Sequence, residues 1–257
     1  MPNKLILHIP HASKIIPEKT GYVVSDEVLN DEILLLTDWH TEDLFDFAGG
    51  ISITANFNRV FCDVERFAND DDEPMAKKGM GAIYTKLDSG GVLRIVSDEV
   101  RNYILEKYYY PHHQRLSTAV AEQLSNTDSA LIIDCHSFSN KPFKRDLSHE
   151  EPRPDFCIGI DDYHTPRGLF KLAAVFIKML GYTVKINNPY SGSIVPLRYY
   201  NKEKRVYSVM VEVNRDLYLI PGTNLKNENY DKVKSDIQKL LASISKNFEN
   251  INFKPLV

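Results

Sequence analysis

The chain has 257 residues and a formal net charge of −4, with 43% hydrophobic and 26% charged residues. This length supports one large domain with a full core, and we expect residues 1–257 to form a single domain. The small negative charge excludes a global attraction to nucleic acid or to an anionic membrane surface. No apolar stretch approaches the roughly 20 residues that a membrane span needs.

The N-terminal segment and the cysteine content indicate a reducing compartment. The apolar part of MPNKLILHIPHAS is only about five residues long and leads into histidines, unlike a signal peptide. The three cysteines, Cys62, Cys135 and Cys157, are few and odd in number, which favours free thiols over a disulfide framework. We therefore expect a cytoplasmic protein that acts on a small molecule. The sequence does not indicate its oligomeric state.

Short runs rich in Val and Ile alternate with helical patterns along the chain. The runs are too short for helices and predict strands over Leu5–Ile9, Ile51–Ala55, Ala130–Asp134, Phe156–Ile160, Thr183–Ile186 and Tyr207–Val213. Helices are predicted over Asp38–Phe47, from the capping Ser97 through a break at Pro111, over Pro166–Leu180, and over about Asn229–Asn247. The alternation predicts an α/β fold, a three-layer αβα sandwich with a mixed, largely parallel central sheet.

Polar side chains of catalytic type follow three of the predicted strands. HIPHAS places His11 after the first strand, LIIDCHSFS places His136 after the third, and VMVEVNRD carries Glu212 and Arg215. The carboxyl ends of parallel strands share one edge of a sheet, where α/β proteins bind ligands. Two imidazoles, one carboxylate and an open position are the ligand set of a catalytic zinc. One zinc ion is therefore predicted at this edge, although either histidine alone is more often structural.

The segment TDWHTEDLF offers candidates for the third metal ligand. Asp38 is the preferred candidate, with His40 and Glu42 as alternatives. The competing interpretation is that these acids complement the dipole of a helix start and that Asp38 is a cap. Asp134 is interpreted either as the residue that orients His136 or as a loop hydrogen-bond partner.

Two arginines in NFNRVFCDVERF are candidates for substrate binding. Arg59 and Arg66 can each bind a carboxylate through both arms of the guanidinium, and Asn58 adjoins the first. The alternative is that both are exposed and paired with Asp63 and Glu65.

Glu212 interrupts the strongly β-prone run YSVMVEVNRDLY. In a central strand a carboxylate costs several kcal/mol unless it is paired or functional. A glutamate that faces an activated water is the general base that such a site requires. On an edge strand Glu212 would instead face solvent. The turn-rich segment NNPYSGSIV predicts a mobile flap that brings Tyr190 and Ser191 to the substrate.

Two further motifs receive little functional weight. KKGMGAIYT is glycine-rich but lacks the Gly-Lys-Ser/Thr ending of a phosphate-binding loop. YYYPHH is interpreted as packing with a helix break, because His112 and His113 lie away from any predicted strand end.

Seven motifs, in this order, resemble the N-formylglutamate amidohydrolase family: HIPHAS, DWHTEDLF, NFNRVFCDVER, YYYPHH, LIIDCHSFS, NNPYSGSIV and VMVEVNRDLY. The likeness runs from Leu5 to Tyr218. The family belongs to the wider zinc-carboxypeptidase-like superfamily, so the resemblance implies that fold. The D-x-H-S sequence of the superfamily looks like Asp134–Ser137.

Carried over position by position, the resemblance implies that His11 and His136 bind zinc and that Glu212 is the base. Arg66 matches the arginine that holds the α-carboxylate of the substrate, and Arg59 matches one that polarises the carbonyl. Tyr190 matches the flap tyrosine only loosely.

The sequence departs from the wider pattern at two positions. Lys14 stands where the carboxypeptidase motif has its ligand glutamate, so the acidic ligand must come from elsewhere. Glu65 replaces the usual Asn before the carboxylate-binding arginine, and it would repel an anionic substrate if it faced the pocket.

The activity implied by the resemblance is hydrolysis of N-formyl-L-glutamate to glutamate and formate, a reaction of histidine breakdown. One alternative is an amidase or carboxypeptidase that acts on another N-acyl amino acid or on a peptide C-terminus. Another is a non-catalytic carboxylate-binding protein, which a solvent-facing Glu212 or an absence of turnover would favour.

Overall fold

The computed structural model describes residues 5–248, and its strands form one sheet. The strands are β1 Leu5–Ile9, β2 Gly50–Thr54, β3 Ala130–Phe138, β4 Phe156–Gly159, β5 Val184–Ile186 and β6 Val206–Asn214. Their order across the sheet is β2-β1-β3-β6-β4-β5. β4 runs antiparallel to β6, whereas the other neighbouring strands are parallel. The predicted mixed, largely parallel sheet is confirmed.

The helices are α1 Asp26–Leu36, α2 Thr41–Leu44, α3 Asp98–Ile104, α4 Tyr110–Thr127, α5 Arg167–Met179 and α6 Tyr230–Asn247. A π-helical stretch, Leu105–Tyr109, joins α3 to α4. Ser97 caps α3 as predicted, because its hydroxyl accepts a hydrogen bond from the Val100 amide. Among residues 5–248, no helix is long and apolar enough to cross a bilayer.

Helices cover both faces of the sheet. Helices α5 and α6 bury apolar side chains such as Ala173 and Ile237 against one face. Helix α4 covers the other face with Leu116 and Val120. Burial of apolar area on both faces explains why the central strands β3 and β6 have almost no exposed residues. The αβα layering that the sequence predicts is therefore confirmed.

Strand β3 is longer than predicted, and this changes the place of the second site histidine. The prediction ended the strand at Asp134, but β3 pairs with β6 residue by residue as far as Phe138 beside Asn214. His136 therefore lies inside a strand, directly beside Glu212 in the neighbouring strand.

The helix predicted over Asp38–Phe47 is confined to the single turn of α2. His40 adopts φ 64°, in the left-handed region, which prevents a helix from beginning before it. Helix α1 was not predicted, although Ser25 and two acids in its first turn are helix-start signals.

Candidate active site

The residues predicted as metal ligands, as the general base and as substrate-binding arginines line one cavity at the carboxyl end of β1 and β3. They are His11, Asp38, His136, Glu212, Arg59 and Arg66, and the predicted flap residues Tyr190 and Ser191 line the same cavity. The parallel pairing of β1 with β3 and of β3 with β6 brings these segments together.

Each site histidine has one ring nitrogen beside a buried carboxylate. His11 Nε2 lies 2.9 Å from Asp63 Oδ1, and His136 Nε2 lies 3.1 Å from Asp134 Oδ1. The other nitrogens face Asp38 Oδ2, at 3.7 Å from His11 Nδ1 and 3.2 Å from His136 Nδ1. Histidines that bind metals in proteins usually donate their second N–H to a carboxylate in this way.

The distances from Asp38 Oδ2 to the two Nδ1 atoms are compatible with a zinc donor set. Ligands bound at about 2.0–2.2 Å in a tetrahedral array lie about 3.3–3.6 Å apart, close to the distances from Asp38 Oδ2 to the two Nδ1 atoms. His11 Nδ1 is buried and has no hydrogen-bond partner among the described residues. Such an unsatisfied buried nitrogen is costly unless a ligand occupies it.

Asp38 is held rigidly and stays ionised. Arg215 Nη2 donates to Asp38 Oδ1 at 2.7 Å, and the Ser137 amide donates to Oδ2 at 3.2 Å. Burial opposes the charge on Asp38, but hydrogen bonds to His11 and His136 and the Arg215 charge hold its pKa well below its ordinary value. Burial likewise opposes a charge on His136, yet Glu65 and Asp134 raise its pKa well above its ordinary value. Metal binding at His136 must therefore displace a proton.

Glu65 brings a second carboxylate to the same histidines. Its Oε2 lies 3.1 Å from His136 Nε2, and its Oε1 lies 3.5 Å from His8 Nδ1. Ligand atoms of His11, Glu65 and His136 lie within 4.8 Å of one another. Burial opposes ionisation, but the charge and hydrogen bond of His136 hold the pKa of Glu65 well below its usual range. Sequence reasoning did not consider Glu65 as a ligand, and its only signal was the departure from the usual Asn.

Arg59 and Arg66 share one buried anchor, Asp63. Arg59 Nη2 donates to Asp63 Oδ2 at 3.0 Å, and the Tyr84 hydroxyl donates to the same oxygen at 2.8 Å. Arg66 Nε lies 4.0 Å from that oxygen. The alternative that Arg59 pairs with Asp63 is therefore correct, but neither arginine is exposed, since their side chains are 13% and 22% accessible. Both line the cavity while Asp63 fixes their position.

Glu212 is buried in the central strand β6 and faces the cavity. Its side chain is 6% exposed, and Oε2 has no hydrogen-bond partner among the described residues. Burial, together with the negative charges of Asp38 and Glu65, raises the pKa of Glu212 to about 8 against the opposing charge of His136. The alternative of an edge strand with a solvent-facing Glu212 does not match this position.

The predicted flap segment lines the cavity with Pro189, Tyr190 and Ser191. The Tyr190 hydroxyl lies 3.1 Å from both carboxylate oxygens of Asp146 and 3.3 Å from Arg153 Nη1. Arg153 in turn donates to Asp146 at 2.6 Å. Asp146 thus ties Tyr190 to the loop that follows β3.

Three predicted candidates lie elsewhere. Asn58 is fully buried, and its amide donates to the Ser13 carbonyl and to Thr37 Oγ1, both at 2.7 Å, so its role is structural rather than substrate binding. His40 Nε2 lies 2.9 Å from the Asn224 carbonyl oxygen, and Glu42 is exposed. Neither lines the cavity.

Comparison with known proteins places this geometry in a family. A model of the N-formylglutamate amidohydrolase family matches residues 3–219. The chain belongs to this family. The resemblance drawn from the motifs is thereby confirmed.

Relatives of this N-formylglutamate amidohydrolase family member have similar lengths. The N-formylglutamate deformylases of Pseudomonas aeruginosa and Pseudomonas putida are 27% and 26% identical to it, each over 84% of this chain and over 82% and 81% of their own length. The crystal structure of the N-formylglutamate amidohydrolase from Ralstonia eutropha JMP134 matches with a TM-score of 0.85 and 25% identity. That match covers 97% of this chain and 95% of the other.

Proposed function

We propose that this protein is a zinc-dependent hydrolase that converts N-formyl-L-glutamate and water into L-glutamate and formate. The observation that carries the proposal is Glu212 Oε2, which is buried without a hydrogen-bond partner among residues 5–248 and lies in one cavity with His11, Asp38 and His136. A general base beside a metal-ligand set is the arrangement for metal-assisted amide hydrolysis. The names of the Pseudomonas and Ralstonia relatives support the substrate.

His11 Nδ1, His136 Nδ1 and Asp38 Oδ2 would hold one zinc ion and leave a position for water. The Nε2 atom of each histidine already faces a carboxylate, Asp63 for His11 and Asp134 for His136. The Nδ1 atoms are therefore the available donors. Glu65 faces the Nε2 edge of His136 and is the competing carboxylate.

When bound, zinc acts as a Lewis acid that lowers the pKa of water to about 7, and its charge lowers the pKa of a neighbouring carboxyl. Glu212 takes a proton from the attacking water, whose oxygen bonds to the formyl carbon. Glu212 then gives that proton to the amide nitrogen as the C–N bond breaks. Formate and the free amine of glutamate leave.

Arg66 would bind the α-carboxylate of the substrate, and Arg59 would polarise the formyl carbonyl. Because both are anchored on Asp63, their cationic groups are positioned before the substrate arrives. Glu65 does not present the bare negative charge that the sequence suggested, because His136 lies 3.1 Å from its Oε2. The repulsion expected for an anionic substrate is thereby reduced.

The decisive assay is formate release from N-formyl-L-glutamate, before and after chelation and after zinc is added back. We expect activity to disappear with chelation and to return with zinc. Glu212→Gln should lower kcat by about 10²–10⁴-fold, the usual contribution of a general base. Glu122→Gln, a change at an exposed position of α4, is the matched control and should leave the rate unchanged.

The same assay separates the alternatives. Turnover of other N-acyl amino acids but not of N-formyl-L-glutamate would keep the reaction and replace the substrate. If the protein binds carboxylates but turns over no substrate with any added metal, the proposal is refuted and a binding protein is favoured.

A further inference from the structure

A row of ring nitrogens runs from the site to the protein surface. His8 Nδ1 lies 2.8 Å from Asp134 Oδ1, and His8 Nε2 lies 2.9 Å from His112 Nε2. Arg115 Nη2 lies 3.3 Å from His112 Nδ1 and also donates to the Thr54 carbonyl at 2.7 Å. His8 and His112 are buried, whereas Arg115 is exposed. His112 is buried, as the packing interpretation expects, but it contacts His8 of strand β1 instead of lying away from the strands.

The donors in this row can point in only one direction. A guanidinium has N–H donors and no acceptor, so His112 Nδ1 must accept the hydrogen bond from Arg115. Burial, with the neighbouring His8 next in weight, lowers the pKa of His112 to about 2, so the ring is neutral and carries its one proton on Nε2. That proton is donated to His8 Nε2. Burial opposes a charge on His8, whereas Asp134 and Glu65 raise its pKa, but a second proton on Nε2 would face the His112 proton across 2.9 Å. His8 therefore keeps one proton, on Nδ1 and directed at Asp134.

Asp134 links the protonation of His8 to the protonation of His136, because its Oδ1 contacts both rings. It accepts from His8 on Oδ1, from the Ile194 amide on Oδ2 at 3.0 Å, and lies 3.1 Å from His136 Nε2 through Oδ1. A carboxylate only accepts, so His136 keeps a proton on Nε2 and its Nδ1 becomes the nitrogen available to a metal. That nitrogen is the one that faces Asp38.

We propose that Arg115 and His112 are positioning residues, which set the tautomer of His8 and so hold Asp134 where it presents His136 Nδ1 to zinc. Neither residue touches the substrate or the reacting atoms. The inference rests on the zinc site of the proposed function.

Loss of the guanidinium would remove the constraint. His112 can then carry its proton on Nδ1 and present a lone pair to His8. His8 then donates from Nε2, and either its Nδ1 lone pair faces the Asp134 carboxylate across 2.8 Å or the ring gains a second proton, which Asp134 and Glu65 favour. The lone pair would repel Asp134, and a second proton would draw the Asp134 charge toward His8. Either change weakens the hold of Asp134 on His136.

The first test is the ¹⁵N NMR spectrum of the ring nitrogens in full-length protein labelled at its eight histidines. We expect His112 protonated on Nε2 and His8 protonated on Nδ1, and Arg115→Met should shift the proton of His112 toward Nδ1. Protonation of wild-type His112 on Nδ1, or of His8 on both nitrogens, would overturn the proposal.

The second test is zinc affinity, measured by competition with a chelating indicator. Arg115→Met and His112→Leu should raise the zinc Kd about tenfold, at the low end of the 10- to 100-fold effect of outer partners of metal ligands. His112→Gln keeps an N–H donor for His8 and should remain within about twofold. Arg198→Met, a change at an exposed arginine whose guanidinium lies over the Tyr199 ring, is the control.

The outcomes separate the two claims. Wild-type protein that binds no zinc would refute the zinc site itself. Equal zinc Kd values for wild type and a folded Arg115→Met would refute only the positioning role. Because Arg115 is exposed, this variant keeps the test decisive even if His112→Leu fails to fold.

Discussion

Asp63 shows how one buried carboxylate organises the candidate site at the scale of single residues. It lies 2.9 Å from His11 Nε2, accepts from Arg59 and Tyr84, and lies 4.0 Å from Arg66. Burial opposes its charge, but the charges of Arg59 and His11 hold its pKa well below its ordinary value. Sequence reasoning treated Asp63 only as a partner for exposed arginines. In the structure, Asp63 supports both the candidate metal ligand His11 and the two substrate-binding arginines.

Two carboxylates compete for the third metal position, and substitution distinguishes them. Asp38→Asn should lower zinc affinity by more than the roughly 10- to 100-fold that loss of an outer partner costs. Glu65→Gln should stay within that range, because Glu65 faces the Nε2 edge of His136 rather than Nδ1. Chelator competition on folded protein measures both, and the reverse ranking would assign the ligand to Glu65.

At the scale of elements, the register of the central strands positions Glu212, the proposed base. The pairing of β3 with β6 places His136 beside Glu212. Strand β4 borders β6 on the other side and approaches the flap closely at Gly159. A Cβ built on Gly159 would lie 2.3 Å from the Gly192 carbonyl oxygen. Glycine is therefore required there by the close approach of the flap backbone.

Gly159→Ala should displace the flap that carries Tyr190 and Ser191. We expect a loss of about 1–3 kcal/mol of stability from overpacking, together with a higher KM for N-formyl-L-glutamate. Thermal unfolding and steady-state kinetics measure the two effects. Gly91→Ala is the control, because its nearest neighbours would lie 3.6 Å or more from the new Cβ. Equal behaviour of the two variants would contradict the argument.

At the scale of the whole molecule, the net charge is only −4, but several buried carboxyl groups have strongly shifted pKa values. Asp38 and Asp63 have lowered pKa values and contribute stability that is present above their ordinary pKa and lost as pH falls through the folded value. Glu212 has a raised pKa and acts in the opposite sense. Its contribution is present below its ordinary pKa of 4.5 and is lost as pH rises toward about 8.

Glu212→Gln should therefore stabilise the zinc-free protein, and more so as the pH rises from 4.5 to about 8. One pKa unit corresponds to about 1.4 kcal/mol, so the gain at pH 8 is a few kcal/mol. That gain amounts to several degrees in Tm at this chain length. Thermal unfolding of both proteins at pH 4.5 and pH 8 checks the difference, and a gain independent of pH would refute this origin.

Much of the fold follows from local patterns in the sequence. The starts of all six strands were predicted to within a residue or two. Short Val- and Ile-rich runs that alternate with helical patterns are typical of the buried strands of an α/β sheet. The ordered motifs also identified the family. His11, His136 and Glu212 were predicted to converge because strand ends in such a sheet share an edge, and they do line one cavity.

The remaining features depend on contacts between residues far apart in the chain. Pairing with β6 extends β3 through His136, and packing of α4 on the sheet brings His112 to His8 across 104 positions. Burial of Asn58 removes it from the cavity, whereas Glu65 enters the site because two distant histidines offset its charge. The sequence by itself determined the strands, the family and the types of chemical group at the sheet edge. Only the tertiary structure decided which of those groups touch, because burial and hydrogen-bond partners are set by elements that local patterns do not connect.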